Sequence, residues 1–155
     1  MGRNFYTRYE KRFSINHNEK MPPKTIFTEL EFFIKGITDK QWLLDRNCHI
    51  WDEWGNIDAW KPVFEDRKFK EIKKLGHHNM TDEHETELKN QAMNECRDLG
   101  PVYGWQWRHW NGEYRFNPQD PLNNFNPNNP GIDQLKKVIE TAKRDPNNRR
   151  LIVNA

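Results

Sequence analysis

Large rings have to build the core of this chain, because little else in it can. Seven tryptophans and nine phenylalanines stand among 155 residues, while apolar residues of all kinds reach only 34% and charged residues take 31%. A mean hydropathy of −1.15 would suit a disordered segment. Such segments are poor in aromatics, however, and each ring here can bury a large area. The chain is therefore expected to fold around rings under a polar surface, as one domain that buries about 68–70% of its unfolded surface. A partner surface would complete such a core.

The net charge of +2 and pI near 8.5 are too balanced to argue for nucleic acid or an anionic membrane as partner. Cys48 and Cys96 make no framework and no CxxC motif, so reduced intracellular thiols are expected. No apolar leader and no apolar run of membrane length is visible. These readings point to a soluble, cytoplasmic protein.

Along the chain, Arg12-Phe13-Ser14-Ile15 alternates as a half-buried strand does. Pro22 and Pro23 then suit the start of a helix whose stripe is Ile26, Phe27, Leu30, Phe33 and Ile34, stopped by Gly36. Glu29 lies beside that stripe, as either a boundary acid facing water or a buried acid with a raised pKa. A short helix is expected around residues 39–45. Next comes His49-Ile50-Trp51-Asp52-Glu53-Trp54, with two indoles three apart: a core pair, or a flat wall for a planar ring.

From about 60 to 98 the chain turns highly charged and reads as an inserted helical hairpin or lid. Its helices are expected over residues 64–75 and 81–96, the second with Asp82 and Glu85 in capping-box spacing. His77, His78 and His84 lack the spacing of a zinc set, so no metal is expected. Residues 99–110 are the densest in aromatics. Glycines flank Tyr103 and permit close backbone approach; Tyr103 itself is a ligand- or water-positioning group, or a core tyrosine with a satisfied hydroxyl. Residues 111–130, rich in Asn and Pro, read as a surface loop.

The last stretch combines a helix, with Ile132, Leu135, Val138, Ile139 and Ala142 on one face, a break at Asp145-Pro146-Asn147-Asn148, and then Arg149-Arg150. Leu151-Ile152-Val153 reads as a buried strand. The arginine pair is either a solvated basic pair or a fork for one anion, with charge-assisted bonds of about 1.5–3 kcal/mol each.

Four segments, in order, resemble thymidylate synthase: residues 28–36 (Thr28-Glu29-Leu30 to Gly36), 50–54 (Ile50-Trp51-Asp52-Glu53-Trp54), 99–108 (Leu99-Gly100-Pro101-Val102-Tyr103 to Arg108) and 145–155 (Asp145 through Arg149-Arg150 to Ala155). The resemblance implies an α+β fold, a mixed, bent β-sheet packed against helices and incomplete here, with the sheet forming a homodimer interface. It implies reductive methylation of dUMP to dTMP with 5,10-methylenetetrahydrofolate as cofactor. By the same resemblance, Glu29 is the acid that organises water around the pyrimidine and assists proton transfer, and Tyr103 orients a water for proton abstraction. Ile50, Trp51 and Trp54 line the folate pocket. Arg149 and Arg150 reach the dUMP phosphate of the neighbouring subunit.

The departures from the family pattern also shape the expectation. The family's nucleophile is a cysteine in a Pro-Cys-His setting beyond the arginine pair, and neither Cys48 nor Cys96 sits in that motif. An Arg-Thr-Gly-Thr-Gly phosphate loop is missing, and Lys20-Met21-Pro22-Pro23-Lys24 replaces a Thr-Thr-Lys-Lys stretch. The chain is therefore expected to be a fragment, inactive alone and poorly soluble because it ends within a core strand. A pyrimidine hydroxymethylase of the same fold and a non-catalytic binding module are the other two readings.

Overall fold

Helices and long turns make up the computed structural model, which describes residues 22–76 and 79–154. The first helix, α1, spans Pro23–Ile34 and opens on proline, whose fixed φ and absent N–H suit a first turn. Gly36, at φ +67°, ends it in the left-handed region that glycine enters without strain. A single turn, α2 (Gln41–Leu44), follows. The long pair α3 (Ile57–Leu75) and α4 (Asp82–Glu95) comes next, then α5 (Tyr103–Arg108) and α6 (Gln134–Arg144). Side chains cap α3, α4 and α6. Asn56 accepts from the Asp58 N–H, Thr81 from the His84 N–H and Asp133 from the Lys136 N–H. Thr81, not Asp82, is thus the cap of α4, and α3 begins seven residues before the expected start at Phe64.

The main core gathers Phe32, Ile37, Leu43, Cys48 and Leu99, with Phe33, Trp42, Ile50, Trp51 and Val102 packed against it. It lies where α1 meets α2 and α5. Most of the stripe expected on α1 is on the wrong face. Phe32 is fully buried, while Phe27 is 68% exposed and Ile26, Leu30 and Ile34 are also exposed. A second core joins Trp60 and Phe64 of α3 to Ala92 of α4, flanked by Leu88, Met93 and Cys96. The hairpin α3–α4 therefore carries its own interior.

The expected α+β architecture is not what the chain adopts. Among the described residues no sheet forms. Pairing is limited to isolated antiparallel bridges, Asp39 with Asp98, Trp110 with Ile132, Tyr114 with Phe125 and Asn126 with Asn129. A strand is a tertiary object that needs a neighbour's ladder, and its side-chain signal reports burial rather than an intrinsic backbone preference. Leu151–Val153 has the composition of a core strand but meets no ladder, and Ile152 is 72% exposed. The alternating run at residues 12–15 lies outside the described residues.

Residues 111–130 lack regular elements, as expected of a loop, yet they are fastened inward. Asn124 is 1% exposed, and its Nδ2 donates to the Gly36 carbonyl at 2.8 Å and to the Thr38 hydroxyl at 3.2 Å. Asparagine bonds backbone groups readily, so an Asn-rich segment can be pinned as well as looped. No described helix is long and apolar enough to cross a membrane.

Candidate functional site

Glu29 and Phe33 stand one turn apart on α1, and this spacing places them on one face, towards α5 and the Trp51 turn. Phe33 meets three rings edge to face: Trp51 at 6.0 Å, Tyr103 at 6.1 Å and Trp107 at 5.9 Å between centroids. Trp51 in turn meets Trp54 at 5.9 Å. Such tilted pairs match the ring quadrupoles and hold aromatic planes in defined directions. Behind this wall, the Trp51 indole N–H donates to Glu29 Oε1 at 2.8 Å. The carboxylate thus fixes the plane of the indole from α1.

Gly104 allows this arrangement. A Cβ there would lie 2.4 Å from both the Cα and the carbonyl oxygen of Phe33, so α5 crosses α1 backbone against backbone. Arg108 closes the same junction. Its guanidinium donates to the Ile34 carbonyl at 2.8 Å and to Asp133 at 2.9 Å, tying the end of α1 to the cap of α6.

In front of the wall is an open cleft of about 840 Å³. Trp51, Trp54, Val102, Tyr103, Trp105 and Trp110 supply its apolar surface, and Gln106, Asn111 and Tyr114 its polar groups. Tyr103 is 53% exposed at its edge, so its hydroxyl is not that of a buried core tyrosine. Tyr114, at the far side, donates through its hydroxyl to Asp98 and lies 2.9 Å from the Thr38 hydroxyl. Asp98 also accepts from the Gly100 N–H at 2.7 Å and from Asn56 at 2.9 Å. Burial, and then the bond to Asp98, push the Tyr114 phenol well above its ordinary pKa.

The structure brings Trp51, Trp54 and Tyr103 to one cleft, with Glu29 bonded to the first of them. Ile50 faces elsewhere, against the Phe32 core. Arg149 and Arg150 are exposed and make no ion pair among the described residues. Arg150 borders a separate groove of about 320 Å³ with Trp110, Lys137 and Ile152. Sequence reasoning missed Phe33 as a hub, taking it for one more stripe residue; its place four residues after Glu29 was the available signal. It also missed Asp98 and Tyr114, which no local pattern marks.

Neither thiol is placed for attack. Cys48 is 1% exposed, and its neighbour His49 is turned to Asp52 and Asn47. Burial pushes the pKa of both Cys48 and Cys96 up, away from the thiolate. Among the described residues, no group of three or more His, Cys, Asp or Glu could hold a metal; His77 and His78 lie outside them.

Comparison with known proteins decides the family. The model of the thymidylate synthase family matches residues 1–155. The chain belongs to the thymidylate synthase family. It is 34% identical over 155 residues to the thymidylate synthase of Mycoplasma genitalium, covering 95% of this chain and 44% of that protein. It is equally similar to the bifunctional dihydrofolate reductase-thymidylate synthase of Leishmania major, 34% over 155 residues, which covers 94% of this chain and 23% of that protein. The thymidylate synthase of varicella-zoster virus is 33% identical over 132 residues, 85% of this chain and 33% of the viral protein. The chain thus spans less than half the length of these thymidylate synthase relatives.

Proposed function

We propose that this chain supplies the folate-facing part of a thymidylate synthase site, the site that methylates dUMP to dTMP with 5,10-methylenetetrahydrofolate in a cytoplasmic enzyme. One observation carries the reading: Trp51, Trp54 and Tyr103 share a single cleft, and Glu29 holds the indole plane from behind. A pterin is a flat, amphipathic ring, and an indole wall with a tyrosine edge suits it. Ile50 supports this wall from the core side. Glu29 does not line the cleft, and its proposed part in organising water and assisting proton transfer, a role worth roughly 10²–10⁴-fold in rate, rests on the family resemblance and on its bond to the Trp51 indole. Tyr103 presents its hydroxyl where it can orient a water.

Folate supplies the one-carbon unit and the hydride when bound; the residues here bind, orient and move protons. Covalent activation of the pyrimidine needs a thiolate. The burial of Cys48 and the raised pKa of both thiols support the reading that neither provides it, and that this chain alone is inactive. The exposed, uncommitted guanidinium groups of Arg149 and Arg150 suit the phosphate of dUMP bound by a second subunit of a homodimer.

The test is dTMP formation from dUMP and 5,10-methylenetetrahydrofolate, by the chain alone and with a polypeptide carrying the remainder of a relative's domain. We expect turnover only in the mixture, reduced at least a hundredfold by Glu29→Gln. Turnover by the chain alone would refute the thiolate argument. A mixture that forms a soluble complex yet gives no dTMP would refute the functional reading.

A further inference from the structure

Lys40, at the head of α2, is 2% exposed, and among the described residues no carboxylate lies within ion-pair distance of it. A buried ammonium is tolerated only where its N–H groups are met. Here four backbone carbonyls meet them: Asp52 at 2.8 Å, Trp54 at 2.9 Å, Asn94 at 3.1 Å and Met93 at 3.4 Å. Three donors serve four acceptors, so at least one N–H is shared.

These carbonyls come from two places that nothing else in the sequence relates. Met93 and Asn94 belong to the last turn of α4, where the helix dipole is negative and carbonyls run short of partners; among the described residues the Met93 carbonyl accepts only the C-cap N–H of Cys96, at 3.2 Å, besides the ammonium. That turn carries no basic residue of its own. Asp52 and Trp54 belong to the turn that bears the two indoles of the cleft wall. The surrounding contacts are tight: a Cβ on Gly55 would lie 2.9 Å from Cys96 Cβ, and Asn56 donates its N–H to the Asp98 carbonyl at 2.7 Å. Burial pulls the Lys40 pKa down from its ordinary value, opposed by Cys96 and Asp52.

We propose that Lys40 is a positioning residue for the cleft, its ammonium clamping the Trp51–Trp54 turn onto the C-terminal end of α4. The charged hairpin α3–α4 then sets where the indole wall stands, although the hairpin itself contributes no residue to the cleft lining. A substitution in α4 far from the cleft reaches the wall through this cation and through the tight Gly55–Cys96 contact beside it. The consequence for ligand binding rests on the folate reading above; the clamp itself does not.

The 155-residue chain labelled with 5-fluorotryptophan tests the clamp by ¹⁹F NMR, with resonances assigned through Trp51→Phe and Trp54→Phe. Lys40→Met keeps the length of the side chain and removes its charge. In the folded variant we expect the Trp51 and Trp54 resonances to shift or broaden while those of Trp107 and Trp110 stay in place, and affinity for a reduced folate to fall tenfold or more. Unchanged Trp51 and Trp54 resonances in a folded Lys40→Met chain would overturn the proposal. Should that variant not fold, ¹⁵N-lysine spectra of the unsubstituted chain decide. One slowly exchanging ammonium coupled to backbone carbonyls is expected, and fast exchange at every lysine would overturn it. If the indole resonances respond to Lys40→Met but the unsubstituted chain binds no folate, the clamp stands and the folate reading falls.

Discussion

At the scale of single residues, the cleft depends on one missing side chain and one bonded phenol. Gly104→Ala would drive a methyl group into the Phe33 backbone, and the two helices would have to separate. We expect a loss of about 1–3 kcal/mol, measured by urea unfolding, together with loss of the edge contact between Phe33 and Tyr103. Tyr114 makes a pH-dependent contribution. Its folded pKa lies above the ordinary 10.0, so above pH 10 the unfolded state loses this proton while the folded state keeps it. The stability it contributes is complete below pH 10 and falls as pH rises beyond that. Tyr114→Phe should cost about 1–3 kcal/mol at neutral pH, and the gap between the two proteins in unfolding free energy should narrow above pH 10. A gap that stays constant with pH would contradict the assigned role.

At the scale of elements, the hairpin α3–α4 has an interior separate from the main core. Trp60→Ala should cost about 3–5 kcal/mol of local stability, read by hydrogen exchange as faster opening of α3 and α4 while amides around Phe32 and Leu43 keep their protection. Equal loss of protection in both regions would show a single cooperative unit instead. Several helix ends were legible because caps and breakers act locally: Pro23, Gly36, Thr81 and Asp133 each work within four residues, whereas the Asn56 start of α3 and the short α5 were not read. The buried face of α1 was not legible. Its helical period is satisfied by two stripes, one through Phe27 and Leu30 and one through Phe32 and Phe33, and only the tertiary partner chooses between them. Trp51 and Trp54 could be read as a wall or a core pair from spacing alone. Lys40 carried no signal, since a lysine near a helix start is ordinarily solvated.

At the scale of the whole molecule, the expected sheet failed for the same reason that the expected helices succeeded. Strand pairing is decided by distant partners, and Leu151–Val153 finds none among the described residues. Among the described residues, apolar helix surface is left exposed: Ile26, Phe27, Leu30 and Ile34 of α1 all face outward. A contiguous face of this kind favours association. Replacing Phe27 and Leu30 by lysine should lower light scattering at micromolar concentration and leave the thermal midpoint within a few degrees. An unchanged scattering profile would place the sticky surface elsewhere.

The central claim is that the aromatic cleft receives a folate ring against Trp51. Tryptophan fluorescence of the 155-residue chain, titrated with a stable reduced folate in the presence of dUMP, measures it directly. The account predicts saturable quenching, with affinity at least tenfold weaker in a folded Trp51→Ala variant. No quenching at millimolar ligand, or quenching unaffected by Trp51→Ala, would contradict it.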